Sequence, residues 1–213
     1  MQRSRLVIAF VVFLVIALAG AAYWYSRGAG TPPPTPGTTT GEALIGGPFS
    51  LVAAQDGRRV TDGDLKGRFA LVYFGYTHCP DMCPLGLETV TRAMELLPQP
   101  AAERVQPVFV TVDPARDTPE VMRAYAASFH PRLLALSGSE AEVQGALKAY
   151  RVYARKAAEG TQAGGAEYLV DHSTFTYVMG PDGRYLAHFS HGTTAEDMAK
   201  RLGALLGEAS ATS

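Results

Sequence analysis

The chain is poor in cysteine, in tryptophan and in net charge. Of its 213 residues, two are cysteine and one is tryptophan, and 19 basic residues face 20 acidic ones. A net charge of −1 gives no basic field, so nothing points to nucleic acid or to strong electrostatic attraction to lipid. No internal repeat is visible, which excludes solenoid and propeller architectures. Proline is absent from the whole stretch between Pro131 and Pro181. Two cysteines cannot build a disulfide framework, and a domain of this length does not need one.

Both cysteines stand in one short run, His78-Cys79-Pro80-Asp81-Met82-Cys83-Pro84, directly after the apolar stretch from Phe69 to Tyr76. A disulfide between residues four apart would close a tiny loop, stabilising by only about 2 kcal/mol in the chain-entropy account. The placement suits soft-metal binding or redox chemistry better than stapling.

The N-terminus carries Arg3 and Arg5, then an unbroken run of apolar and small residues from Leu6 to Ala22, then Tyr23-Trp24-Tyr25. Residues 6–25 are long enough to span a bilayer. The arginines place residues 1–5 in the cytoplasm, and the aromatic trio reads as an interfacial belt. The competing reading is a cleaved signal peptide, with Ala17-Leu18-Ala19 as the processing site. Either way the remainder lies outside the cytoplasm; in a bacterium that is the periplasm, an oxidising compartment. Residues 26–44 hold four prolines, five threonines and four glycines. They read as a tether of roughly 25 to 60 Å reach. Residues 45–208 have the size of one domain.

Within that domain, Phe49 to Val52 and Arg58 to Val60 flank Asp56-Gly57 as a small hairpin. Phe69 to Tyr76 reads as a strand covered on both faces. Cys83 is expected at the N-cap of a helix reaching about Leu97, with Pro84 at its first position. Val105 to Val112 is a second buried strand, and Thr118-Pro119 opens another helix. Leu133 to Leu136 is a short strand. Ser139 to Glu142 is a capping box opening a helix to Tyr150. Lys156 to Ala166 reads as a surface loop. Phe175 to Met179 and Tyr185 to Phe189 flank Pro181-Asp182-Gly183, a hairpin signal. Thr193 or Thr194 caps a last helix to about Leu205. The order predicts an α/β, thioredoxin-like domain on an N-terminal transmembrane anchor.

At a helix N-terminus, Cys83 is expected to have a lowered thiol pKa. Two thiolates select copper(I) or zinc over hard ions, yet leave the coordination shell incomplete. His78 would have to fold back sharply to share a metal with Cys79. His130, before Pro131 at a helix end, reads as a surface residue, and His188 and His191, around the last hairpin, have structural readings. His172, in Val170-Asp171-His172-Ser173-Thr174, lies just before the strand starting near Thr174, where a thioredoxin-like oxidoreductase carries a cis-proline. Two readings stand side by side for it: metal ligand, or hydrogen-bonded loop histidine. Asp81 either supports a ligand or forms an Asx turn, and Met82 is either a thioether ligand or a packing residue. Asp113 and Asp117, around Arg116, are expected to organise the turn through caps and a pairing.

The run from Tyr73 to Pro84 resembles the signature of the SCO/SenC family. Val112 to Pro119 and Asp171-His172-Ser173 are similar to its two further motifs, in the family's order. The resemblance covers roughly residues 49–205. It implies a membrane-tethered, thioredoxin-fold copper protein of cytochrome c oxidase assembly, with one copper, Cu(I) or Cu(II), held by Cys79, Cys83 and His172. The implied client is the dinuclear copper site of oxidase subunit II, with another periplasmic copper chaperone or a thioredoxin-like reductase as a further partner. The family leaves two roles open: a metallochaperone, or a thiol-disulfide reductase working through Cys79 and Cys83. A thioredoxin-like peroxidase finds no support, because no cysteine is marked as peroxidatic.

Overall fold

The computed structural model describes residues 44–157 and 168–211, together with Leu14, Val15, Ala17, Leu18, Ala19 and Tyr23. The chain divides into two units, Met1–Glu42 and Ala43–Ser213. In the first unit the six described residues are helical and exposed. Most of the expected span 6–25, and nearly all of the expected tether, lie outside the described residues. Among the described residues no helix is long and apolar enough to cross a membrane.

The second unit is built on a seven-stranded sheet. Its first hairpin, β1 (Ser50–Ala53) and β2 (Arg59–Thr61), turns at Gly57 with φ +75°. β3 (Phe69–Gly75), β4 (Val105–Thr111) and β5 (Leu134–Ser137) follow, all three parallel. Outside the sheet, β6 (Ala154–Lys156) and β7 (Val170–His172) form a separate antiparallel ribbon. β8 (Thr176–Met179) and β9 (Tyr185–Phe189) close the far edge as a hairpin. Strand order is β2-β1-β5-β4-β3-β8-β9.

Every residue of β3 is buried, because helices cover both of its faces. Alternation along the strand divides the core. Phe69 and Leu71 pack with Val90 and Met94 of α1 (Met82–Leu96) and with Met198 and Leu202 of the last helix. Ala70, Val72 and Phe74 point the other way, into a cluster with Met122, Val143, Leu147 and Tyr150. A short helix α2 (Gln99–Glu103) leads into β4. Thr118 caps α3 (Pro119–Ala126), with Pro119 at its first position as expected. The Ser139–Glu142 capping box opens α4 (Glu140–Tyr150). Thr194 caps α5 (Ala195–Ala211) by accepting from the Asp197 N–H at 3.1 Å.

Four expectations change. α1 begins earlier, with Asp81 rather than Cys83 at the N-cap. Its first backbone bond runs from Leu85 N–H to the Asp81 carbonyl, so Pro84 occupies the last position where a missing N–H costs no helical bond. α5 runs to Ala211, six residues beyond the expected end. Lys156, expected to open a loop, is the last residue of strand β6, while residues 158–166 of that expected loop lie outside the described residues, and His172 lies at the end of strand β7 rather than in a loop. These two strands are only three residues long and carry no alternation that would mark them.

Candidate metal centre

Three polypeptide segments meet at the C-terminal end of β3. The strand ends at Gly75, and the following turn closes with the Cys79 N–H donating to the Tyr76 carbonyl at 3.3 Å. That turn aims the Cys79 sulfur at the first turn of α1, where the Cys83 N–H donates to it at 3.3 Å. The Cys83 thiol is fully buried and Cys79 half-buried, and both are free. β7 brings in His172, whose Nε2 lies 3.3 Å from Cys83 Sγ. The two sulfurs and one imidazole nitrogen lie within 4.8 Å of one another.

The histidine's tautomer follows from its other contact. Nδ1 lies 3.0 Å from the Ser173 carbonyl oxygen. A carbonyl only accepts, so Nδ1 carries the proton and Nε2 presents a lone pair to the sulfurs. Three donors around one metal, with bonds of about 2.0 to 2.3 Å, lie about 4 Å apart. The three atoms here need only small adjustments to reach that spacing. Two soft thiolates and an imidazole suit one copper ion.

Proton sharing between the thiols reverses one expectation. The Cys79 thiol is pulled down to about 3, first by the hydrogen bond from the Cys83 thiol, with further donation from backbone N–H groups of Cys83 and Asp81, against the opposing effect of burial. Cys83 is pushed up, first by that same bond and then by burial. The thiolate therefore resides on Cys79, not on Cys83. The helix N-terminus does act as expected, but its N–H groups are spent on the sulfur that precedes the helix.

Close approach under α1 holds Cys83 in place. Tyr73 is buried and its hydroxyl donates to the Met82 carbonyl at 3.3 Å. A Cβ on Gly86 would come within 2.8 Å of the Tyr73 ring, and one on Gly75 within 2.8 Å of Cys83 Sγ. Both glycines are thus required by contact rather than by φ. A glycine ending a fully apolar strand is the sequence signal that would have marked Gly75.

Asp117 does more than close its turn. It is wholly buried, and accepts from the Thr77 N–H at 3.1 Å, the Thr77 hydroxyl at 2.6 Å and the Thr111 hydroxyl at 2.5 Å. It ties the end of β4 to the cysteine loop. Asp113 pairs with Arg116 as expected, and also accepts from the Tyr168 hydroxyl at 2.6 Å. Burial first, then that carboxylate, pushes the Tyr168 hydroxyl up to about 12, so it stays protonated and donates.

The other histidines stand apart from the cysteines. His78 is exposed, 3.0 Å from the Thr77 hydroxyl. His130 Nδ1 accepts from the Arg132 N–H, and His188 contacts Tyr185 and Phe175. His191 is not in the cluster either. Asp81 caps α1 without a side-chain bond, and Met82 is exposed at the first helical position.

A family model described as SCO1/SenC matches residues 37–207. The protein sco1 of Schizosaccharomyces pombe is 41% identical over 165 residues, covering 78% of this chain. The chain spans 62% of the length of that relative. The structure of Bradyrhizobium japonicum ScoI with copper bound is 41% identical, covers 75% of this chain and 98% of its own, and superposes with a TM-score of 0.68. BsSco, described as a member of the Sco family of cytochrome c oxidase assembly proteins with a disulfide switch, is 26% identical, covers 77% of this chain and 94% of its own, and has a TM-score of 0.59. With its seven-stranded thioredoxin-like sheet, its cysteine loop and its histidine ribbon, the chain belongs to the SCO1/SenC family.

Proposed function

We propose that this chain is a copper metallochaperone that carries one copper ion on Cys79, Cys83 and His172 and delivers it to the dinuclear copper site of cytochrome c oxidase subunit II. The observation that carries this reading is the convergence of those three donor atoms within 4.8 Å, with the copper-bound ScoI structure as support. Copper is cargo here. Two thiolates and a neutral imidazole leave a copper(I) site with one net negative charge and a copper(II) site neutral, so both oxidation states are accommodated. The half-exposed Cys79 and His172 leave the cargo open to a client's ligands, while buried Cys83 keeps it anchored.

The setting completes the reading. Residues 6–25 anchor the chain in the inner membrane with residues 1–5 cytoplasmic, and the proline-rich tether of residues 26–44 lets the domain, residues 45–208, reach its client in the periplasm.

A thiol-disulfide reductase for the same client is the second reading, favoured by the Cys79 thiolate beside the Cys83 thiol. In that chemistry Cys79 attacks a client disulfide, one client thiol leaves, and Cys83 then displaces the second. The client gains two electrons, with one proton from the Cys83 thiol and the second from solvent, and a Cys79–Cys83 disulfide remains for another reductase to open.

Replacing His172 separates the two. His172→Ala keeps both thiols. In cells carrying the variant as their sole copy at normal protein level, the chaperone reading expects loss of copper from the oxidase. Near-normal oxidase copper and activity would discard it and promote the reductase.

A further inference from the structure

His172 rides on a ribbon that stands outside the seven-stranded sheet. β6 and β7 pair with each other and, among the described residues, with no strand of that sheet. Pairing within a two-stranded ribbon gives marginal stability by itself, so the position of His172 needs a further support. The residues around it supply one.

Val170 of β7 donates its N–H to the Tyr76 hydroxyl at 3.2 Å. The Tyr76 ring stands edge-on to the His172 imidazole, with centroids 5.8 Å apart. The guanidinium of Arg116 lies 5.6 Å from the Tyr76 ring centroid and 3.6 Å from that of Tyr168, the residue two before β7. Lys156 of β6 approaches Tyr168 as well, its Nζ 4.6 Å from the ring. Asp113 fixes both partners, pairing with Arg116 and accepting from the Tyr168 hydroxyl. Arg116 is only 14% exposed, and its Nη2 finds no hydrogen-bond partner among the described residues. Its charge is therefore answered by one carboxylate and two ring faces.

We infer that Arg116 is a positioning residue for His172: clamped by Asp113 and lodged between Tyr168 and Tyr76, it locks the β6–β7 ribbon so that Nε2 stays beside the two sulfurs. The inference rests on the reading of His172 as a copper ligand. A role confined to its own turn does not account for the arrangement. That turn is already closed by the Arg116 and Asp117 N–H groups donating to the Asp113 carbonyl, and by Asp117 itself. The planar guanidinium is needed because a lysine ammonium neither stacks on a ring nor offers the side-on Nε bond.

The test is a double-mutant cycle on the full chain, with copper(I) affinity read by chelator competition under reducing conditions. Arg116→Lys is expected to weaken copper(I) binding about tenfold in the parent. In the His172→Ala background it should cause less than about a twofold further loss, because coupled residues are not additive. Full additivity, or no loss from Arg116→Lys, overturns the inference. A second readout needs no metal: the Val170 amide should exchange about tenfold faster in Arg116→Lys, with β3 amides unchanged. Should His172→Ala alone leave copper affinity intact, the ligand reading has failed, and Val170 exchange decides the clasp: faster supports it, unchanged overturns it. If Arg116→Lys does not fold, Tyr168→Phe takes its place in both measurements. It removes the hydroxyl that Asp113 accepts from while keeping the ring against Arg116, and weaker copper binding with faster Val170 exchange supports the clasp, while parental values in both overturn it.

Discussion

Cys79 and Cys83 hold one proton between them in the reduced, metal-free protein. The thiolate sits on the more accessible sulfur, with its pKa near 3 instead of 9.0, and the buried thiol keeps its proton. The sign of the resulting pH dependence follows. Between those two values the unfolded Cys79 binds more protons than the folded one, so its contribution to stability grows as pH rises and is lost as pH falls through about 3. Cys83 acts oppositely, because its raised pKa withdraws stability above its ordinary value of 9.0. Alkylation reads the same asymmetry. With iodoacetamide at about pH 5, where an ordinary thiol is inert, Cys79 should be modified first and Cys83 spared. Equal modification, or preference for Cys83, would show that the helix N-terminus and not the pair sets the proton.

At the scale of elements, the centre depends on how closely α1 lies on β3. A methyl group on Gly75 would meet Cys83 Sγ at 2.8 Å and the Phe109 ring at 3.0 Å. Gly75→Ala should therefore destabilise the fold by about 1–3 kcal/mol and loosen copper binding with it. Urea unfolding and copper competition report the two effects, and a fully parental profile in both would refute the close packing. The long elements were legible because each carries its own signal. β3 is a continuous apolar run, α3 has Thr118-Pro119 at its start, α4 has its capping box, and the β8–β9 hairpin has Pro181-Asp182-Gly183. β6 and β7 were not legible. Each is three residues long, and pairing partners far away in sequence, not local propensity, make them strands. The start of α1 two residues earlier has a similar source, since a proline is favoured at the first helical position but its missing N–H costs no helical bond anywhere in the first turn.

At the scale of the whole molecule, the three donors come from two places 89 residues apart, and no local pattern links them. The cysteine pair was readable as a soft-metal or redox site from its own spacing. His172 stood out among the five histidines by its place before the strand near Thr174, but only the family resemblance chose ligand over hydrogen-bonded loop histidine, and the fold then brought its Nε2 to the sulfurs. The clasp of Asp113, Arg116 and Tyr168 was legible only as a turn pair, because its ring partner lies 55 residues from Asp113. The run from Leu6 to Tyr25 makes a separate claim about the whole chain. Membrane fractionation with mass spectrometry of the mature N-terminus should find the protein in the membrane with residues 6–25 retained, and a soluble product beginning near Gly20 would convert the anchor into a signal peptide.

Copper stoichiometry and affinity of the reduced protein test the central claim most directly. Metal sites with four donors bind by about 10–16 kcal/mol, or roughly 3 kcal/mol per donor, so losing one ligand should weaken binding about a hundredfold. One copper per chain is expected in the parent, with that order of loss in each of Cys79→Ala, Cys83→Ala and His172→Ala. A His172→Ala protein that binds copper(I) and copper(II) as tightly as the parent would contradict the three-donor centre.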